Sequence, residues 1–341
     1  MNKKYIIGTV DTVVGTVNQI STLWSSSDLW STIKVRWSTG RMNYSVKQGL
    51  YAIGTPNADS DIFVSANYKL SFDHLRRALH GMNAWVLVLD TKGINVWCAA
   101  GKKTFSTENI IKSIKNTSLE QIIKHRKIIV PQLGAPGVAA HEVKEKSGFS
   151  VIYGPVLACD IKPFIENGYK ATPSMRKVNF TLKERAKLIP VDLMYGKYKL
   201  MIAIGVILIL SGIDKTGFSF SRIIETGSFS VCSVLWAYIA GIVITPLMLP
   251  YTPFRAFALK GAIWGTVSTL VIKQFFNVSN LNFIALGFFS ISIASFAAMN
   301  FTGSSTYTSL SGVKKEMKWS IPLQIAFAAI GIILFIISKL V

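Results

Sequence analysis

Residues 95–102 read Asn95-Val96-Trp97-Cys98-Ala99-Ala100-Gly101-Lys102, directly after the apolar run AWVLVLD at 84–90. Cys98, Trp97 and Lys102 carry groups capable of chemistry. Ala99, Ala100 and Gly101 have almost no side chain, so something large and flat can lie against this backbone. A rigid planar cofactor needs such a surface, and a loop following a buried strand is where an α/β sheet presents its ligands.

The pattern around this stretch sets the fold class. From residue 60 onward strand-like and helix-like segments alternate: strands near 61–66, 84–90, 127–133 and 149–156, and helices near 72–81, 107–116, 118–126, 137–147 and 160–167. Such alternation implies right-handed crossovers and a mostly parallel sheet covered on both faces. The reading is a Rossmann-like α/β domain over residues 1–190. Its carboxyl-end loops hold small, turn-forming residues: Ser65-Ala66-Asn67, Thr91 to Asn95, Gly134 to Gly137, and Gly154-Pro155. No GxGxxG follows the first strand and no GxxxxGK[ST] occurs, so nicotinamide and nucleoside triphosphate lack a fingerprint. Residues 1–50 hold Trp24, Trp30 and Trp37 among Ser and Thr, and are expected to pack as core.

Beyond residue 190 the composition changes. The 341-residue chain has 17 acidic residues, and only Asp214, Glu225 and Glu316 lie past residue 200. Five apolar stretches, near 199–213, 230–249, 257–273, 281–300 and 321–338, predict an all-α five-helix transmembrane domain over 191–341, because a bilayer core takes roughly 20 residues of helix. Tyr198 and Trp319 fall at its expected interfaces. Gly261 and Gly265 form a GxxxG pair that lets helices approach. No span centre carries a charged residue, which argues against an ion-coupled transporter.

The net charge of +20 invites a nucleic-acid reading. Lys183, Arg185, Lys187, Lys197 and Lys199 instead crowd the start of the first span, as the positive-inside rule expects. The chain is therefore read as a multi-pass protein of the cytoplasmic membrane, with its soluble domain in the cytoplasm, no nucleic-acid partner, and its C-terminus outside. Lys3 and Lys4 precede apolar residues, but Asp11 and Asn18 interrupt any signal-like core. Three cysteines, Cys98, Cys159 and Cys232, are too few for a disulfide framework or an iron–sulfur cluster of the chain's own.

Two chemistries suit Cys98. A helix start and Lys102 four residues on both favour a thiolate. A nucleophile would want a histidine base, and His74, His80, His125 and His141 read as helix surface. The alternative is ligation of a soft or borderline metal. One cysteine cannot hold a metal alone, but a metal fixed in a macrocycle needs only one axial ligand.

The runs VLDTKGINVWCAAGK (88–102), PQLGAPGVAAHEVKEKSGF (131–149) and YGPVLACDI (153–161) resemble the corrinoid-binding domain of the mercury-methylating corrinoid membrane proteins of anaerobes. These are related to the large corrinoid subunit of the acetyl-CoA pathway's corrinoid iron–sulfur protein. GLYAIGTPNADS (49–60), FTLKERAKLIPVDL (180–193) and the five apolar stretches extend the likeness over nearly the whole chain. The resemblance implies a corrinoid-dependent methyltransferase with a cap helix at 95–101. Cys98 would be the lower axial ligand of cobalt, Asn95 would fix the cap's start, Val96 and Trp97 would pack it, and Ala99, Ala100, Gly101 and Lys102 would line it. Ser65, Asn67, Gly134, Gly137 and Gly154 would complete the cofactor-binding set.

It further implies a folate-type methyl donor or its methyltransferase, inorganic Hg(II) as the acceptor, and a small ferredoxin with two [4Fe–4S] clusters as electron donor. The DxHxxG motif of corrinoid proteins with a histidine ligand is absent, since Asp73-His74 lacks the spacing. Cys159 stands where such relatives tend to carry a basic residue. Two other readings stay open: a corrinoid methyl carrier of one-carbon metabolism without mercury chemistry, and a non-enzymatic membrane sensor.

Overall fold

The computed structural model describes residues 5–340. The chain divides into two units, one of residues 1–35 and 39–178 and one of Arg36–Ser38 with residues 179–341.

The first unit opens with β1 (Ile6–Thr12) and β2 (Gly15–Ile20), then α1 (Ser26–Arg36) and β3 (Gly49–Ile53). The alternating region supplies β4 (Ile62–Ala66), α2 (Lys69–Ala78), β5 (Ala84–Leu89), α3 (Val96–Gly101), α4 (Thr107–Asn116) and α5 (Leu119–Ile122). It continues with β6 (Lys127–Val130), α6 (Ala140–Ser147), β7 (Ser150–Tyr153) and α7 (Ile161–Glu166). The seven strands form one sheet in the order β1-β2-β3-β5-β4-β6-β7.

The expected parallel core is present in β5, β4, β6 and β7. The sheet as a whole is mixed, because β3 runs antiparallel to β5 and β1 antiparallel to β2. Four of the six strand pairs are parallel, β2–β3 among them, so the sheet is mostly parallel as expected, and its antiparallel pairs lie on the N-terminal side. A parallel crossover needs a dozen or more connecting residues, whereas only Val13 and Val14 separate β1 from β2 and permit a hairpin.

Side chains alternate across the pleat. Trp85, Leu87 and Leu89 of β5 join Ile62, Val64 and Ala66 of β4 in a core with α3, α4 and α6. Val86 and Val88 face the other way, onto Phe72 and Leu75 of α2 and Phe164 of α7. Both faces are covered, so β4 and β5 read as unbroken apolar runs.

Chain direction across the sheet reverses beside β4: the chain passes from β4 to β5 on one side, then returns to β6 on the other. In open α/β sheets such a reversal leaves a crevice outside the carboxyl ends of the strands. That edge collects the loops after β4, β5, β6 and β7, together with the β1–β2 hairpin tip.

The expectation that Trp24, Trp30 and Trp37 are core holds only in part. Trp24 Nε1 donates to the Asp73 carbonyl at 3.2 Å, and its ring stacks on His74 and Arg77. Trp30 and Trp37 are 63% and 47% exposed. The buried face of α1 is Asp28, Thr32 and Val35, which leaves the tryptophan positions outward.

The second unit holds α8 (Leu182–Ala186), α9 (Ile189–Ser211), a short hairpin of β8 (Ile213–Asp214) and β9 (Gly217–Phe218), and α10 (Phe220–Ile239). A π-helical turn, Ala240–Ile244, then leads to α11 (Thr245–Leu247), α12 (Phe257–Lys273), α13 (Asn280–Asn300) and α14 (Leu310–Leu340). Four stretches are long and apolar enough to cross a membrane: Leu182–Ser211, Phe220–Leu247, Asn280–Gly303 and Ser311–Leu340. The five-span expectation meets four of that kind among the described residues. The third expected span is helical over the expected 257–273 but has only 17 residues, about 26 Å at 1.5 Å per residue, short of a hydrocarbon core of about 30 Å.

The Gly261–Gly265 pair packs as its spacing suggests. A Cβ at Gly261 would stand 2.4 Å from the Ala294 carbonyl oxygen of α13, and one at Gly265 would stand 2.6 Å from that of Ser290. Lys260, in the first turn of α12, is buried, and its Nζ donates to the carbonyls of Leu249 and Thr252. Glu316 of α14 accepts from the Ala258 amide at 2.6 Å and so satisfies an otherwise orphan N–H at the start of α12.

Candidate functional site

Cys98 sits in the six-residue helix α3, third after the N-cap residue Asn95, whose Oδ1 accepts from the Cys98 amide at 2.9 Å. Asn is among the best N-cap residues because its short side chain reaches the orphan amides of the first turn. Here that reach fixes the backbone of the thiol-bearing residue itself. Val96, Ala99 and Ala100 are buried in the core against the sheet. Trp97, Cys98, Gly101 and Lys102 are exposed, and a Cβ on Gly101 would meet open space.

The small residues of the stretch thus divide into two groups. Ala99 and Ala100 bring α3 down onto the sheet, while Gly101 leaves room beside Cys98 on the outer face, three residues along the same helix.

α3 crosses the carboxyl end of β4 and packs on the turn at 132–137. That turn owes its approach to two glycines. A Cβ at Gly137 would lie 2.2 Å from the Phe105 carbonyl oxygen and 3.2 Å from Ala100 Cα, and one at Gly134 would lie 2.4 Å from the Phe105 ring. Gly154 is buried, with Ile129 Cγ2 3.1 Å from the Cβ position. All three glycines meet protein there, so each serves the packing beneath α3 or the sheet end.

Ser65 is also buried, and its hydroxyl donates to the Ala66 carbonyl. Asn67 organises the loop from β5 to α3. Its Oδ1 accepts from the Thr91 amide at 3.1 Å and the Gly93 amide at 2.9 Å, and its Nδ2 donates to Asp90 Oδ1 at 3.1 Å. Thr91 Oγ1, with one hydrogen to give, lies 2.8 Å from Asn67 Oδ1 and 2.7 Å from the Ile94 carbonyl.

Asp90 Oδ1 also receives the Lys92 amide at 3.0 Å, where the chain turns through left-handed conformations at Lys92 and Gly93. Asn109 of α4 ties the loop from outside, its Nδ2 reaching the carbonyls of Asp90 at 2.7 Å and Thr104 at 2.6 Å. The sequence reading missed Asp90, Thr91 and Asn109. Each does its work through a tertiary contact; only the run of turn-forming Asp, Thr, Lys and Gly at 90–93 hinted at a structured loop.

A thiol with this exposure has two possible uses, and the surroundings separate them. His80 bonds Thr22 Oγ1, His125 contacts the Ser60 carbonyl, and His74 stacks on Trp24, so these three rings are engaged away from α3. Among the described residues no group of three or more His, Cys, Asp or Glu side chains forms a metal cage. Three of the four candidate bases are thus engaged elsewhere, and the described residues hold no cluster of that size for a metal. A single soft donor on a ledge with open space beside it suits a metal that arrives in its own planar chelate. Cys159 differs: partial burial and the Asp160 carboxylate beside it push its thiol pKa up and hold it in the neutral form.

Comparison with known proteins gives a consistent picture for the first unit. A protein-family profile described as CO dehydrogenase/acetyl-CoA synthase delta subunit matches residues 32–164. The acetyl-CoA decarbonylase/synthase complex subunit gamma of Archaeoglobus fulgidus is 29% identical over 126 residues, 36% of this chain and 26% of that protein. Its counterpart in Methanopyrus kandleri is 28% identical over 123 residues, again 36% and 26%. The corrinoid/iron-sulfur protein large subunit of Moorella thermoacetica is 29% identical over 121 residues, 35% of this chain and 27% of that one. The chain thus spans about a quarter of the length of the curated relatives it matches.

Proposed function

We propose that this chain is a membrane-anchored corrinoid protein that takes part in methyl transfer, with Cys98 as the lower ligand of cobalt. The observation that carries the reading is the exposed Cys98 on α3, its amide held by Asn95 and its helix seated over the crevice beside β4. The chemistry of the donor agrees: one soft sulfur donor, no cluster of three or more His, Cys, Asp or Glu side chains among the described residues, and open space at Gly101. When bound, the corrinoid supplies cobalt chemistry able to accept and release a methyl group.

The chain's own residues do the rest. Asn95 and the Asn67–Asp90–Thr91 cluster hold the Cys98 backbone at a fixed height. Trp97 and Lys102 flank the thiol on the exposed side. As a ligand, the Cys98 sulfur would donate more electron density to a bound metal than an imidazole would, which would favour methyl transfer to a soft, electron-poor acceptor. We take that acceptor to be inorganic Hg(II), with a folate-type methyl donor upstream and a small ferredoxin with two [4Fe–4S] clusters restoring the reduced state. The four membrane-length apolar stretches support a membrane setting for this activity, and we take the membrane to be the cytoplasmic one, with the first unit on its cytoplasmic side.

A second reading is a methyl carrier of one-carbon metabolism, favoured by the printed names of the Archaeoglobus and Moorella relatives. The test is direct. Full-length protein loaded with corrinoid should lose the thiolate-dependent cobalt absorption bands on Cys98→Ala, and methylmercury formation from Hg(II) with ferredoxin present should collapse. Identical cobalt bands in parent and Cys98→Ala would overturn the ligand assignment. Retained bands and methyl transfer with no methylmercury from the parent would leave the carrier reading in place of the mercury one.

A further inference from the structure

The helix α1 is amphipathic the wrong way round. Its inward face carries Asp28 and Thr32 beside Val35, whereas Leu29, Trp30 and Ile33 point outward at 51%, 63% and 48% exposure. Buried charge and exposed tryptophan on one helix is the reverse of a soluble surface helix. Asp28 cannot roll outward, because it is the centre of a buried clasp. Lys69 Nζ lies 2.9 Å from Asp28 Oδ1, Arg76 Nη2 lies 2.9 Å from Asp28 Oδ2, and Asp73 of α2 completes the pairing. Ser25 N and Oγ hold the same carboxylate at 3.0 and 2.9 Å. The clasp therefore fixes which face of α1 the solvent sees.

That face carries a positive charge as well: Lys34 is exposed on it, and Asp28, the one acid of the helix, is already neutralised inside. Trp30 and Ile33 with Lys34 beside them make the composition of a helix that lies in a membrane interface, with aromatic rings at headgroup level and lysine reaching anionic lipid. A bilayer is within reach by chain connection alone. The last residue of the first unit is Val178 and the first membrane-length stretch starts at Leu182, a gap of three residues that spans at most about 10 Å.

We infer that the outward face of α1 is a lipid-docking surface, on which Leu29, Trp30 and Ile33 enter the headgroup region of an anionic bilayer and Lys34 contacts lipid phosphates. This surface is separate from Cys98 and stands whether or not the corrinoid reading is right. Docking there would hold the soluble unit at one tilt against the membrane in place of a free tether.

The test uses the full chain, one copy per lipid nanodisc, with Cys98→Ala, Cys159→Ser and Cys232→Ser removing native thiols. An environment-sensitive fluorophore is attached through Trp30→Cys, with Ile33→Cys as a second position and Lys144→Cys on α6 as the exposed control. In discs of phosphatidylcholine with phosphatidylglycerol, the probes at 30 and 33 should be quenched by brominated acyl chains and shielded from aqueous iodide, while the probe at 144 should show the opposite. Lys34→Gln should lower the docked-to-undocked ratio about fivefold in these discs, the effect of one basic residue at an anionic surface, and leave pure phosphatidylcholine discs unchanged. Three outcomes would overturn the inference: probes at 30 and 33 as open to iodide as the one at 144, shielding that appears only with two chains per disc, or shielding that appears only when a second protein is added.

Discussion

Replacing Asn67 by Ala separates a scaffold from a cofactor contact. Asn67 is 8% exposed, and its Oδ1 is the acceptor for the Thr91 amide, which is fully buried, and for the Gly93 amide. Truncation strands a buried Thr91 N–H, at a cost of about 1–3 kcal/mol, and removes a half-buried bond at Gly93 worth about 1 kcal/mol. Together they weaken the 90–95 loop by about 2–4 kcal/mol, or roughly 30- to 700-fold in its opening equilibrium.

The chain has two units, so a single unfolding free energy is the wrong measure. Amide hydrogen exchange of peptides spanning residues 90–101 in the intact protein reads the loop directly, and should accelerate within that range. Corrinoid affinity should fall in step, because the loop carries the Asn95 cap and with it Cys98. Ser65→Ala is the contrast, since the Ser65 hydroxyl reaches only the neighbouring Ala66 carbonyl, and its exchange should stay within about twofold of the parent, as changes below 0.5 kcal/mol do. If Asn67→Ala left exchange at 90–101 within about twofold while corrinoid binding was lost, Asn67 would be a direct cofactor contact and the scaffold reasoning would fail.

Asn95→Ala should cost about 1 kcal/mol of α3 stability, the usual worth of an N-cap, seen as faster exchange at Cys98 with no change in α4. Gly137→Ala places a methyl 2.2 Å from the Phe105 carbonyl oxygen and should lower stability by about 1–3 kcal/mol through overpacking, measured by thermal shift of the soluble unit's tryptophan emission. Asp28→Ala breaks the buried clasp by removing the partner of Lys69 and Arg76 and should cost about 3–5 kcal/mol, detected as proteolytic release of residues 21–40.

The same clasp predicts a pH dependence. Burial alone would raise the Asp28 pKa, but the Ser25 amide and the Lys69 and Arg76 cations outweigh it and hold the carboxyl well below the usual range. Its contribution is complete above pH ~5, about a unit above the ordinary Asp value, where the unfolded carboxyl is already ionised, and drains away as acid is added below that. Lys69 is shifted upward: burial lowers its pKa, but Asp73 and Asp28 raise it further, so the alkaline loss begins only above its ordinary range. Exchange of α1 amides should thus be flat from pH 5 to 9 after correction for intrinsic rates, and should rise below pH ~5.

Legibility followed burial. Strands covered on both faces, such as AWVLVL at 84–89, announce themselves because nothing in them is solvated, and β4 to β7 fall where the alternation puts them. β1 lies at the sheet's edge and β2 beside it, and their Thr, Gly and Asn residues break up the continuous apolar run that marks a strand covered on both faces. At the site, the helix start carrying Cys98 was readable, and the role that the resemblance implies for Asn95 at that start agrees with its N-cap bond, because both depend on residues within one helical turn. The tasks of Asn67, Gly134 and Gly137 were not, since each depends on what the fold brings from some 24 to 37 residues away. In α1 the tryptophans suggested core, and the sequence could not show otherwise, because the burial of Asp28 depends on Lys69 and Arg76, more than 40 residues away.

The shortness of α12 bears on how the chain is made. A 17-residue helix whose glycines lie against the α13 backbone is a poor candidate for leaving the translocation channel alone. Its first-turn amides wait for Glu316, which is synthesised only after α13 is complete. Insertion of this segment should accordingly be paired with α13, and finished by the arrival of the last helix. A ribosome stalled with α12 clear of its exit tunnel and α13 still inside should then hold α12 at the channel in a form still open to the aqueous side.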